Sequence, residues 1–411
     1  MERARTGVKQ QYVTAFPGRR DSYQVPLALF EHGRLERFVT DGYDAGLFAR
    51  TLKYCGVRGL ERRWCPALPA DRVQPGFDLE FGRRALARMM EPSRSSVMVD
   101  NWLARRGAEA ANTWGASALF YEFQAELGFR LLASPDQRRI LFHFHPHPGW
   151  EHPILNQDVR AYPAFTEQLR MATRASLPAR FALHTHHAWR NADHVIVASS
   201  CTRTSLLHVG CPAERITMVP YGRETIEQES PQGAAPQIDR PYFLWVGAGS
   251  FRKGLHHLCR AWQLSGCARQ MDLLIVARVV DPGMEQLLAA EGIRWIRGLP
   301  RAELNWYFSH AHAFVMPSLS EGFGQVYLEA LAHGSPVIGT RNSVLPDLVA
   351  AQRWISYVEP GDHEALAERL QESARRAVPD RTERTAVAAS VREFTWERFR
   401  AGVERVLAHF D

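Results

Sequence analysis

Residues 242–340 alternate short apolar runs with helical patterns, and this alternation restricts the fold more than any other feature of the chain. "YFLWVGA" (242–248), "DLLIVAR" (272–278), "AFVMPS" (313–318) and "SPVIGT" (335–340) are short and mostly apolar, as strands buried on both faces are. Between them "GLHHLCRAWQLS", "GMEQLLAAEG", "RAELNWYFSHA" and "QVYLEALAHG" have helical spacing. Parallel strands need crossover helices, so an α/β, doubly wound domain is expected. The first half repeats the theme, with strand candidates "QQYVTAF" (10–16), "ALFYEF" (118–123), "RILFHFH" (139–145) and "HVIVASS" (194–200). The polar run "GRETIEQESPQGAAPQIDR" (222–240) reads as the linker. Two Rossmann-like doubly wound domains facing a central cleft are therefore expected, over residues 1–230 and 231–392. An amphipathic helix in 393–411 follows, N-capped by Thr395. Its stripe of Trp396, Phe399, Val403, Val406, Leu407 and Phe410 is expected to pack on a domain.

Composition removes several classes. Of 411 residues, 45% are hydrophobic and 23% charged, and mean hydropathy is −0.28, which speaks against disorder and membrane spanning. No run of about 18 apolar residues and no basic-then-apolar leader at residues 1–10 is seen, so the expected location is cytoplasmic. Six cysteines stand singly without a CxxC pair, as reduced buried thiols would. The formal charge of +6 suits a phosphate-bearing ligand or an anionic membrane. Nucleic acid is not an expected partner, since no binding motif or concentrated basic tract is present. "RTLKYCGVRGLERRW" (50–64) either skims a bilayer or is a helix packed on the domain with a basic outer face.

The stretch "PSLSEGFGQVYLEALAHGSPVIGT" (317–340) carries the chemistry. Gly322 and Gly324 leave the backbone bare where a loop becomes a helix, and free N–H groups at a helix start favour an anion such as diphosphate. Gly334 ends that helix, so it covers roughly 325–333. Glu321 precedes it and Glu329 lies more than a turn inside. A carboxylate accepts two hydrogen bonds in a fork, which matches vicinal hydroxyls on a ring. Alone, the same two residues fit a glutamate serving the helix dipole and a solvated one.

The stretch closely resembles the signature of glycosyltransferase family 4, with its Glu, seven residues, Glu pattern. "FLWVGAGSFRKGLHHLCRAW", ending its phosphate loop in Lys253-Gly254, and "ADHVIVASSCTRTSLLHVGCPAERITMVPYG" (192–222) are similar to further segments of that family. Together they cover roughly residues 192–370. The resemblance implies the GT-B fold, a nucleotide-sugar donor bound by the C-terminal domain, and transfer with retention. It implies no metal and no cofactor besides the donor itself. Carried over, Glu321 is catalytic at the donor sugar, Glu329 binds the ribose hydroxyls, and Gly322, Phe323 and Gly324 offer backbone N–H groups. The family commonly has an arginine where this chain has Ala248, and Arg252 beside Lys253 could supply the missing cation for the departing diphosphate. "TRNSVLPDLV" (340–349) lacks the glycine pair often found there.

In "FHFHPHPGWEH" (142–152), His143 and His145 share a strand face, and "HTHH" (184–187) adds more imidazoles. No cysteine or carboxylate complement is visible nearby, so a metal is not expected. The family's cleft histidine is assigned to His145, with His147 as runner-up, to hydrogen-bond the sugar or acceptor region. Gly18, in "FPGRRDSYQVPLAL" (16–29), is placed on the family's glycine-containing loop facing donor phosphate or acceptor; the alternative is an exposed basic turn. The expected partners are the donor and a saccharide or lipid-linked saccharide acceptor, in surface polysaccharide synthesis, with peripheral contact to an anionic membrane. A nucleotide-sugar epimerase or hydrolase on the same scaffold is the alternative enzyme. A non-catalytic two-domain sugar-binding protein is the alternative from another class.

Overall fold

The computed structural model describes residues 9–43, 63–76, 92–172, 187–224 and 238–411. Most of the basic 50–64 stretch, His184 and His186, and most of the expected linker lie outside them. Among the described residues two wholly parallel sheets form, one of seven strands and one of six. The first contains β1 (Tyr12–Ala15), β2 (Leu35–Thr40), β3 (Val73–Pro75), β4 (Ser117–Tyr121), β5 (Arg139–His143), β6 (His194–Val197) and β7 (Ile216–Met218), in the order β3-β2-β1-β4-β5-β6-β7. The second contains β8 (Tyr242–Val246), β9 (Asp272–Val276), β10 (Ile293–Ile296), β11 (Ala313–Met316), β12 (Val337–Thr340) and β13 (Ile355–Val358), in the order β10-β9-β8-β11-β12-β13. In each sheet the order reverses once, between β1 and β4 and between β8 and β11. A crevice opens at the carboxyl ends of the strands there, where doubly wound folds bind ligands.

All eight apolar runs of the sequence become strands, and five further strands carried a weaker signal. In β2 the half-buried pair Glu36 and Arg37 follows Leu35 and breaks the apolar run. β3, β7, β10 and β13 are edge strands of three or four residues with mixed burial, so no continuous apolar pattern marks them.

The helices that bear on the site are α1 (Gln24–Glu31), α2 (Glu122–Arg130), α3 (Pro148–Ala161), α4 (Ser200–His208), α5 (Leu255–Ser265), α6 (Gln325–Ala332) and α7 (Trp396–Leu407). The Thr395 side chain caps α7 by accepting from the Arg398 amide. Its stripe packs on the first domain rather than the second. Phe399 lies 5.9 Å from the Phe142 ring, and a Cβ on Gly402 would strike Val219. Arg34 is 1% exposed and holds Glu404 and Asp411, each by two nitrogens at 2.6–3.0 Å. Burying a guanidinium requires such full pairing. No helix among the described residues is long and apolar enough to cross a membrane.

Candidate active site

The second sheet supplies the cations. After β8 the chain makes a short turn through Phe251–Lys253 and enters α5 through Gly254, whose φ is +66°. A Cβ there would also run into the Pro317 carbonyl oxygen, so glycine is required and the turn is locked against the loop leaving β11. Arg252 Nη1 donates to the Ser320 carbonyl at 2.6 Å and lies 3.7 Å from Glu321 Oε1, while Lys253 Nζ donates to Glu321 Oε2. Glu321 is 8% exposed. Burial pushes its pKa up, but Lys253 and Arg252 outweigh burial and hold it down at about 2. It is therefore an ionised carboxylate between two fixed cations.

At Gly322 the first domain closes on the helix start. Gly322 is buried, and its carbonyl accepts from the hydroxyls of Ser199 and of Thr202, the latter at 3.0 Å. A Cβ on Gly322 would strike the Phe144 carbonyl oxygen, so this glycine is demanded by the approach of the first domain. Phe323 is 4% exposed and sets its ring 5.2 Å from Tyr221, which makes its side chain part of the core. Gly324, at φ +83°, opens α6 without a side-chain cap, and Gly334, at φ +85°, closes it as expected. The Phe323 and Gly324 amides find no acceptor among the described residues. Glu329 stands away from the cation cluster, accepting from Arg301 Nη1 at 3.1 Å, and burial raises its pKa.

Across the cleft, β5 delivers His145. Its Nδ1 lies 2.5 Å from Glu122 Oε1, and its side chain is 42% exposed. His147, the runner-up, is buried and serves as the N-cap of α3, its Nδ1 accepting from the Gly149 amide at 3.0 Å. The carboxylate complement that the sequence did not show beside His143 and His145 is Glu122, at the start of α2 and 22 residues from Phe144. Only the adjacency of β4 and β5 brings it there. Gly18 has φ +70°, yet its amide donates to Asp41 Oδ1 at 2.8 Å and is not free for phosphate. Beyond it Asp21, Ser22 and Tyr23 all have positive φ, strain of the kind that clusters at functional loops. Asp21 Oδ2 accepts from Tyr121 and Tyr221 hydroxyls, each at 2.9 Å, and Arg20 lies 4.1 Å from the Phe144 ring centroid. The sequence pointed to this loop through Gly18 and its basic residues, not through Asp21.

A second contact joins the domains behind the site. Asp158 of α3 accepts from His256 Nε2 at 2.9 Å and from His257 Nε2 at 2.6 Å, both in the first turn of α5. Burial pushes the Asp158 pKa up, but the hydrogen bonds from the two imidazoles bring it to about 2. Among the described residues these three side chains are also the group close enough together for a metal ion. The two Nε2 atoms already donate, each to its own carboxylate oxygen.

Residues 240–375 match the family described as Glycosyl transferases group 1. The chain is 31% identical over 232 residues to alpha-maltose-1-phosphate synthase of Mycolicibacterium smegmatis, covering 50% of this chain and 60% of that protein. It is 27% identical over 232 residues to O-antigen chain mannosyltransferase B of Escherichia coli, covering 52% and 59%. It thus spans about six tenths of the length of these curated relatives. Sucrose-phosphate synthase from Thermosynechococcus elongatus has the same fold, with a TM-score of 0.59 at 17% identity over 97% of this chain and 99% of that one. Such neighbours have the GT-B fold, and the two parallel Rossmann-like sheets of this chain agree with it. Residues 240–375, which hold Arg252, Lys253 and Glu321, are thus similar to the family of group 1 glycosyl transferases.

Proposed function

We propose that the chain is a retaining glycosyltransferase that moves a sugar from a nucleoside-diphosphate sugar to a saccharide or lipid-linked saccharide acceptor, without a metal. Surface polysaccharide synthesis is the proposed setting. One observation carries the reading: Arg252, Lys253 and Glu321 converge at the switch point of the second sheet, beside a helix start with unbonded amides. The departing diphosphate develops negative charge, and fixed cations with backbone N–H groups neutralise it without reorganising. In this reading Glu321 supports the reacting sugar, Glu329 takes the ribose hydroxyls, and His145 hydrogen-bonds the sugar from the opposite wall. The first domain holds the acceptor. The names of the two curated relatives, a synthase of a sugar phosphate and a mannosyltransferase, support a sugar-transfer chemistry.

The test is a thermal-shift series with uridine, guanosine and adenosine diphosphates, their sugars, and free sugars. One nucleotide series should raise Tm by a few degrees, since ligand at 100 times Kd stabilises by about 2.7 kcal/mol. Free sugars should not. A shift with free sugar and none with any nucleotide would overturn the reading in favour of a sugar-binding protein. Turnover of the donor without acceptor would favour an epimerase or hydrolase.

A further inference from the structure

We propose that Glu122 is a positioning residue that fixes His145 with its proton on Nδ1, leaving Nε2 as an acceptor for a hydroxyl of the sugar in the cleft. The identity of that ligand rests on the glycosyltransferase reading above; the tautomer rests first on the contact between Glu122 and the His145 ring. Glu122 is 3% exposed, with Oε1 2.5 Å from His145 Nδ1. Its Oε2 accepts from the amides of Phe144 at 3.2 Å and His145 at 3.3 Å. Burial pushes its pKa up, but the neighbouring His143 and His145 and these bonds bring it to about 2. An ionised carboxylate can only accept, so Nδ1 must carry the proton.

Two other groups lie near this carboxylate. His143 Nδ1 lies 3.1 Å from Oε2, but burial lowers the His143 pKa to about 4, so that ring is neutral. Arg20 lies over the Phe144 ring instead of on the carboxylate. Nε2 of His145 has no partner among the described residues, and the side chain is partly open to solvent. A neutral imidazole protonated on Nδ1 presents a lone pair at Nε2, which attracts a hydroxyl proton and repels a phosphate oxygen. The wall opposite Glu321 is thereby set to read the sugar and not the diphosphate.

Selective 15N-histidine labelling of the ligand-free protein reads the tautomer, with His145→Asn assigning the signal by difference. The expected spectrum has Nδ1 protonated and Nε2 bare. In Glu122→Gln the two backbone amides retain the carboxamide oxygen and its NH2 group faces Nδ1, so the ring should switch to Nε2–H. With whichever sugar of a UDP-, GDP- and ADP-sugar set is turned over, that variant should lose on the order of 10- to 100-fold in kcat/KM. Nucleoside diphosphate affinity should be unchanged. Glu122→Asp, which retains the charge, should recover part of the loss. A wild-type spectrum showing Nε2–H overturns the proposal, as does a tautomer switch without any change in kcat/KM. If Glu122→Gln fails to fold, the wild-type spectrum and Glu122→Asp carry the test. Absence of turnover with every sugar would overturn the functional reading and leave the spectrum to decide on Glu122.

Discussion

Glu321 has two jobs that pull against each other. In the ligand-free protein it neutralises Lys253 and Arg252, and with a donor bound those cations must turn to a diphosphate. Glu321→Ala should therefore do more than abolish transfer. Removing one partner of a buried ion pair typically costs about 3–5 kcal/mol, because the remaining charge is left uncompensated. The variant should melt several degrees below wild type without ligand and recover more than wild type when nucleoside diphosphate is added. Differential scanning calorimetry with and without the nucleotide measures both. An equal ligand-induced shift in the two proteins would mean that Lys253 and Arg252 do not face the phosphates. Gly322 shows how far a single position can be read. The sequence marks it as a glycine at a helix start, but the reason glycine is required is the Phe144 carbonyl of the other domain.

At the scale of elements, α3 and α5 matter because each continues a site loop. α3 follows the loop of His145, α5 follows the turn of Arg252 and Lys253, and Asp158 ties one to the first turn of the other. Loss of that carboxylate would leave two imidazole N–H groups buried without acceptors, at about 1–3 kcal/mol each. Asp158→Ala should lower stability accordingly. Asp158→Ala and His257→Ala should couple by at least about 1 kcal/mol in a double-mutant cycle from urea denaturation. Additive effects would show that the bridge does not join the helices in solution. The sequence displayed the two loops, because glycine, lysine and glutamate at short spacing are local signals. It did not display Asp158 with His256, 98 residues apart, or Glu122 with His145, because strand adjacency and domain docking create those pairs. β2 and the edge strands escaped for a related reason: their apolar pattern is incomplete and their neighbours complete it.

Across the whole molecule the joints are built on carboxylates. Asp158 joins the domains, Glu321 joins the two loops of the donor side, and Asp411 with Glu404 fastens the last turns of the chain to Arg34 of the first domain. The Asp158 and Glu321 pKa values lie at about 2 in the fold, against ordinary values of 3.8 and 4.5. A carboxyl depressed on folding stabilises the protein above its unfolded pKa, and that stability is lost as pH falls toward the folded value. Each of these two buried groups corresponds to a loss on the order of 3 kcal/mol between pH 5 and pH 2. Asp21 and Glu329, whose pKa values burial raises, act in the opposite sense and soften the decline without reversing it. The urea midpoint should therefore begin to fall below about pH 7, where the unfolded chain protonates histidines that burial keeps neutral in the fold, such as His143 with its pKa of about 4, and fall further below pH 5. Because the bridge accounts for part of that slope, Asp158→Asn should start lower at pH 7 and decline less steeply. Parallel pH profiles for variant and wild type would show that acid acts elsewhere than at the joint between the domains.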